Sequence, residues 1–222
     1  MSHTHIYVLL DRSGSMSSIA GDVIGGFNTF IEEQKKNGTD ARVTLVQFDS
    51  QDPQEVLASG VPIAELVPLT RDNFIPRGGT PLLDATGKLI GRATLDEQDR
   101  AANNQEKEDV VFVTITDGEE NQSTEFSLER VKNLITHCEE REWMFVFLSA
   151  ALDAYQDPDR MGMKMGNIQS FKSDGKGANL AFSSLSKNMS SMRDKRRRGE
   201  DVKNADFFED KEAEDDRKQD EA

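Results

Sequence analysis

The sequence contains a single cysteine, Cys138. One thiol excludes an internal disulfide framework and suits a reducing compartment. Cys138 falls in a predicted helix beside a core strand, where a buried, inert thiol is expected. No apolar run approaches the ~18 residues that cross a bilayer. The first ten residues carry neither a basic stretch nor a long apolar one, so no secretory signal is read there. A cytoplasmic protein is the expectation. Cationic excess is also missing: 27 Lys and Arg stand against 41 Asp and Glu, for a formal charge of -14. Such a chain is not held on nucleic acid or an anionic membrane by its overall field. It would instead draw cations or a basic partner. No Gly-x-x-x-x-Gly-Lys loop for nucleotide is present, and no internal repeat.

A length of 222 residues is enough for one ordinary domain with some extra sequence. Its apolar residues are clustered. Residues 6–10, 43–48, 110–115 and 143–148 are short apolar runs that read as buried strands, and 168–171 as a final one. Residues 55–69 carry Pro62 and Pro68, so any strand there belongs at a sheet edge. Between the strands, apolar residues recur at helical spacing: Ile19, Val23, Phe27, Phe30 and Ile31; Leu82, Leu83, Leu89 and Ile90; Val131, Leu134 and Ile135; Leu180, Phe182, Leu185, Met189 and Met192. Ser17 or Ser18 is expected to cap the first of these helices and Ser127 the third. Asn37-Gly38 ends the first, and Gly25-Gly26 weakens its middle while allowing close packing on the sheet. Residues 99–108 are polar and expected to be exposed. Strands alternating with helices predict an α/β fold: three layers, doubly wound, a mainly parallel central sheet and one antiparallel edge strand.

The composition changes at residue 199. Residues 199–222 hold eleven acidic and four basic residues, a net of -7 and half the formal charge of the chain. The expected organisation is therefore a folded domain over 1–198 and a disordered acidic tail over 199–222.

In an open parallel sheet, ligands bind beyond the carboxyl ends of the strands, where the strand order reverses. Two strands end in acidic, glycine-containing loops, one at Asp11 and one at Asp117. If these strands are neighbours at the reversal, both carboxylates face one crevice. The Gly78-Gly79-Thr80 loop precedes a helix and can reach the same edge. Together with Ser13 and Ser15 this makes a pocket of two carboxylates and three hydroxyls. All-oxygen sites favour Mg2+, Ca2+ or Mn2+ over Zn2+ or Cu2+. A compact site with neutral hydroxyls leans toward Mg2+.

The motif Asp11-Arg12-Ser13-Gly14-Ser15 resembles the Asp-x-Ser-x-Ser core of the metal-ion-dependent adhesion site (MIDAS) of von Willebrand factor A (VWA) domains. Thr80, in Gly-Gly-Thr-Pro-Leu, resembles the family's separate threonine. Asp117, in Ile-Thr-Asp-Gly, resembles its separate aspartate. The resemblance runs from about residue 6 to 148 and on toward 192, and it is to a compact type of the kind found in bacteria and their phages. It implies the α/β fold. It implies that Ser13, Ser15 and sometimes Thr80 touch the ion, while Asp11 and Asp117 act largely through water. It further implies that a partner's Asp or Glu completes the coordination and that the protein is a binding module or adaptor, not an enzyme.

Other features have plainer readings. Asp84 either orients a ligand of the ion or is an acid favoured by a helix dipole. Glu119, Glu120 and Asn121 lie near the rim. His3 and His5 alternate at a terminus without further ligands, and His137 reads as a helix-surface residue. The basic run 195–198 reads as a solvated helix end, with no aromatic platform for nucleic acid. Phe207-Phe208, set among acids, is either a docking motif or part of an unconstrained tail. Met161, Met163 and Met165 read as loop and core fillers. Two alternatives to the adaptor remain: a scaffold that binds through the tail around a structural ion, and a metal-dependent hydrolase. The hydrolase lacks a placed histidine base or phosphate-clamping lysine.

Overall fold

A computed structural model describes residues 3–151, 153–202, 205–208 and 213–216. Strand β1 (Thr4–Asp11) is buried along its whole length. Successive side chains of a strand point to opposite faces. Ile6, Val8 and Leu10 accordingly enter one core, and Tyr7 and Leu9 enter the other. Burial on both faces is what the unbroken apolar run requires.

β1 pairs in parallel with β2 (Ala41–Phe48) on one side and β4 (Asp109–Thr116) on the other. β5 (Met144–Ser149) and β6 (Ile168–Ser170) extend the parallel sheet beyond β4. β3 (Glu55–Pro62) pairs antiparallel with β2 at the opposite edge. The order is β3-β2-β1-β4-β5-β6. The proline-bearing strand thus takes an edge, as expected. The winding reverses between β1 and β4, so the two strands that end at Asp11 and Asp117 are neighbours at the switch point.

Helices α1 (Ala20–Asn37) and α5 (Gly175–Arg197) cover one face of the sheet, and α2 (Leu82–Ala102) and α3 (Leu128–Glu140) the other. The short α4 (Gln156–Arg160) follows β5. Ser127 caps α3 by accepting the Arg130 N–H, as expected. The cap expected at α1 is not formed: its N-cap is Ile19. Ser17 and Ser18 instead donate their hydroxyls back to the Gly14 and Ser15 carbonyls. The expected approach of Gly25-Gly26 to the sheet is also corrected, because Gly26 faces the Phe182 ring of α5. Cys138 is buried, and burial pushes its thiol pKa up. Met161 and Met163 are buried and Met165 is half exposed. Among the described residues no helix is long and apolar enough to cross a membrane.

The described part of the acidic segment departs from the disorder expected of it. Val202, Phe207, Phe208 and Ala213 join the α1/α5 core cluster. The Phe208 N–H donates to the Gly166 carbonyl (3.0 Å) and the Phe207 N–H to Asn167 Oδ1 (2.9 Å). Glu214 accepts the Tyr155 hydroxyl, and Lys176 pairs with Asp216. The segment's few apolar residues find a seat just before β6 despite the charge around them. The folded unit therefore extends past residue 198. The rest of the expected tail, 203–204, 209–212 and 217–222, lies outside the described residues. The basic run is ion-paired rather than free: Arg197 bonds Asp40, and Arg196 lies 3.5 Å from Asp109.

Candidate metal centre

β1 delivers Asp11, fully buried, to the switch point. Its Oδ1 accepts the Ser13 N–H (2.6 Å) and its Oδ2 accepts the Thr116 hydroxyl (2.5 Å). The second bond ties the end of β1 to the end of β4. Ser13 Oγ lies 3.1 Å from Ser15 Oγ, and Ser15 Oγ donates to Asp117 Oδ1 at 2.7 Å. A Cβ placed on Gly118 would stand 3.0 Å from Thr80 Oγ1 and 3.7 Å from Ser15 Oγ, so both hydroxyls border that glycine. The five residues selected from the sequence are thus brought to one place.

Two loops hold the Asp-x-Ser-x-Ser turn in position. The Gly14 N–H donates to the Gly78 carbonyl (3.0 Å), and the Arg77 N–H to the Arg12 carbonyl (2.7 Å). Gly78 has φ 66°, a left-handed conformation that costs a side-chain-bearing residue energy. Behind these contacts lies Asp49, fully buried just past β2. Its Oδ2 accepts Arg12 Nε (2.6 Å) and Arg77 Nε (2.9 Å). Its Oδ1 accepts the N–H groups of Gln51 and Asp52. Ser50 adds a reciprocal pair with Gly79, its N–H to the Gly79 carbonyl and the Gly79 N–H to its hydroxyl. Sequence reading missed Asp49. An acid directly after a core strand was the available signal, but no motif surrounds it.

On the other side, Thr80 and Asn121 exchange two bonds: Thr80 N–H to Asn121 Oδ1 (3.0 Å) and Asn121 N–H to the Thr80 carbonyl (3.1 Å). Glu120 turns inward and accepts the N–H groups of Leu83, Gln122 and Ser123, together with the Ser123 hydroxyl. Leu83 N and Asp84 N belong to the first turn of α2, and the latter donates to Ser123 Oγ. The loop after Asp117 therefore caps α2, satisfying donors that a helix start leaves open. Asp84 lies in the first turn of α2, as one of its two readings had it. Its carboxylate accepts the N–H groups of Thr124, Glu125 and Phe126, and so anchors that same loop. Glu119 remains exposed.

Burial pushes the Asp11 carboxyl up to about 7, against the opposing pull of the Thr116 hydroxyl and the Ser13 N–H. Burial also raises Asp117, with Ser15 pulling it down. Among the described residues no Lys or Arg side chain bonds either carboxylate, since Arg12 turns away to Asp49 and Glu55. Two carboxylates and three hydroxyls without a counter-charge are a donor set that fits a hard divalent cation. Such an ion would favour both ionised forms.

A second acidic cluster lies at the other end of β1. His5 Nδ1 sits 3.2 Å from Asp96 and 3.7 Å from Glu108, which corrects the expectation that His5 has no further ligands nearby. The exposure expected over 99–108 holds for 99 and 101–107, while the Glu108 side chain at the end of the stretch is drawn inward to this cluster. Arg42 already fills this cluster, with its guanidinium bonded to both acids.

No family model and no curated protein matches the sequence. Solved structures do match the fold. Manganese-loaded TRAP protein of Plasmodium vivax superposes with a TM-score of 0.53 at 16% identity, over 81% of this chain and 72% of that one. Proximal thread matrix protein 1 of the mussel byssus, with a zinc-occupied MIDAS motif, gives 0.59 at 15% identity, over 85% and 46%. The SpRpn10 VWA domain gives 0.53 at 12% identity, over 83% and 95%. The fold is of the VWA type. At these identities the likeness concerns the fold alone. The chain spans under half of the mussel protein and 30% of the pilus adhesin SpaC from Lactobacillus rhamnosus GG.

Proposed function

We propose that this VWA-type chain is a metal-dependent protein-binding module. Asp11, Ser13, Ser15, Thr80 and Asp117 hold one divalent cation, Mg2+ before Mn2+ or Ca2+, and the ion accepts an Asp or Glu carboxylate from a partner protein. The observation that carries this reading is the convergence of the Ser13, Ser15 and Thr80 hydroxyls with two uncompensated carboxylates at the switch point. Neutral hydroxyl ligands leave much of the ion's charge unspent. Ser15 is exposed, so the site opens to solvent on the side where an outside carboxylate would approach. The lone buried thiol suits work in the reducing cytoplasm.

Hydrolysis has less support, because among the described residues no histidine, cysteine or lysine joins the cluster as nucleophile or base. Binding through the acidic segment has less support too, because Phe207 and Phe208 are buried in the fold. Calorimetry with Mg2+ and then Mn2+, with and without acetate, tests the proposal on wild type and Ser13→Ala/Ser15→Ala. We expect one saturable site. Loss of two direct ligands should exceed the roughly 10–100-fold that removing an outer partner costs. A double variant that binds the ion as wild type does would refute the assignment.

A further inference from the structure

A groove of about 650 Å3 lies between α2 and β3, with His5 and Thr44 on its floor. His5 and Asp11 stand at opposite ends of β1, so the groove is about 20 Å from the candidate metal centre at roughly 3.3 Å per strand residue. The floor has little bonding left to offer. His5 Nε2 and Thr44 Oγ1 bond each other at 2.8 Å, and Tyr7 and Arg42 both bond Asp96. The walls differ. Arg92, Leu95 and Asp99 line the groove from α2, spaced so that they share one face of the helix. All three are exposed, Leu95 by 62%. Among the described residues neither the Arg92 guanidinium nor the Asp99 carboxylate has a hydrogen bond or an ion pair. Gln54 lines the groove from the side of β3, and its amide oxygen and nitrogen are both buried without a hydrogen-bond partner. Gly91 keeps the helical wall open, since a Cβ placed there would meet nothing within 4 Å.

The groove therefore presents an ordered set: a free cation, an apolar side chain and a free anion along one wall, with an unsatisfied amide across from them. Buried amides are ordinarily hydrogen-bonded, and Gln54 needs a donor and an acceptor side by side, which a peptide group supplies. At 1.5 Å per helical residue, Arg92 and Asp99 are about 10.5 Å apart along the axis. Three residues of extended chain span about 10–11 Å. We propose that this groove binds a free tripeptide in extended form with an apolar central residue. The ligand's carboxylate meets Arg92, its ammonium group meets Asp99, its central side chain packs on Leu95, and one of its peptide groups pairs with Gln54. The site works without the divalent cation.

Titration of Gly-Leu-Gly into the isotope-labelled full chain, in chelator and followed by NMR, tests this. Saturable shifts are expected at Ser59, Gly60, Gly91 and the Gln54 side-chain amide. Gly-Gly-Gly should bind roughly tenfold more weakly, the worth of one buried apolar side chain. Acetylating the amino group should weaken binding about two- to fivefold, the range of an exposed ion pair, and should cost almost nothing on Asp99→Asn. Gly91→Phe fills the groove from a position where the fold leaves space, so it should melt no lower than wild type and should abolish the shifts. Absence of saturable shifts in wild type, or wild-type binding by Gly91→Phe, would overturn the proposal. Equal binding by the peptide capped at both ends would also overturn it, and would point instead to an internal segment of a partner protein.

Discussion

Replacing Asp84 by alanine should damage both the fold and the metal centre, and the structure gives the size of the first effect. Asp84 is 3% exposed. Its two oxygens accept three N–H groups, from Thr124 (2.9 Å), Glu125 (2.9 Å) and Phe126 (2.7 Å). Each bond to a charged acceptor is worth about 1.5–3 kcal/mol, and each buried donor left without a partner costs about 1–3 kcal/mol. Relaxation of the loop and entry of water recover part of this, so a net loss of about 3–4 kcal/mol is expected. Marginal stability of roughly 5–15 kcal/mol makes that a large fraction of the total. At about 2–4 °C per kcal/mol for a chain of this size, the melting temperature should fall by roughly 6–16 °C. Asp84→Asn keeps one acceptor oxygen and should fall between the two. The loop so loosened carries Asn121, which fixes the Thr80 backbone, so metal affinity should fall as well. Urea unfolding in chelator isolates the stability term, and calorimetry at a temperature where both proteins are folded isolates the metal term. A stability loss below about 1 kcal/mol would refute the view that this carboxylate anchors the loop.

Three further outcomes are expected. Gly25→Ala and Gly26→Ala should have opposite signs: a Cβ at Gly25 meets nothing within 4 Å and should stabilise α1 by about 0.5–1 kcal/mol, while one at Gly26 overlaps the Phe182 ring and should cost about 1–3 kcal/mol on thermal unfolding. Asp40, held down to about 2 from 3.8 by the Arg197 guanidinium with help from Arg193, contributes stability present above about 3.8 and lost as pH falls toward 2; urea midpoints of wild type and Asp40→Asn should therefore converge as pH falls from about 3.8 toward 2, and parallel curves would contradict the ion pair. Asp49→Asn should weaken metal binding, because Asp49 ties Arg12 of the Asp-x-Ser-x-Ser turn to Arg77 of the loop before Thr80; unchanged affinity by calorimetry would show that this tie does not position the ligands.

What could be read from the sequence divides along physical lines. Continuous apolar runs mark strands buried on both faces, and the 3.6-residue spacing marks the covering helices, because each period has one geometric meaning. The candidate ligands were legible because a short motif places Ser13 and Ser15 two residues apart and the others at element ends. The supports of those ligands were not. Asp49, Asp84 and Glu120 act across 28 to 42 residues of chain through hydrogen bonds that tie loops to one another and to the start of α2, which leave no period or spacing behind. The helical spacing that begins at Leu180 does not reach the start of α5 at Gly175, for a related reason. Its first turn, Gly175, Lys176 and Gly177, has no apolar stripe, and only the Asp174 side chain accepting the Gly177 N–H marks its cap. The acidic segment misled because composition averages over 24 residues, whereas burial is decided by Val202, Phe207 and Phe208 individually.

The two acidic clusters at opposite ends of β1 make the strongest internal comparison for the cation. At the amino end, Asp96 and Glu108 converge on His5, and the fold supplies their charge balance itself: the Arg42 guanidinium bonds both, Arg100 lies 3.2 Å from Glu108, and the Asp96 pKa is held low by His5, Tyr7 and Arg42. At the carboxyl end, Asp11 and Asp117 converge on three hydroxyls, and their pKa values rise instead of falling. Guanidinium groups were at hand there too. Arg12 sits inside the motif, and Arg77 donates its N–H to the Arg12 carbonyl, yet both side chains turn to Asp49. A third carboxylate thus holds the arginines away from the first two. Buried charge without compensation is costly, and folds ordinarily neutralise it. Two buried carboxylates left uncompensated beside two arginines committed elsewhere fit the proposal that their counter-charge is a cation from solution.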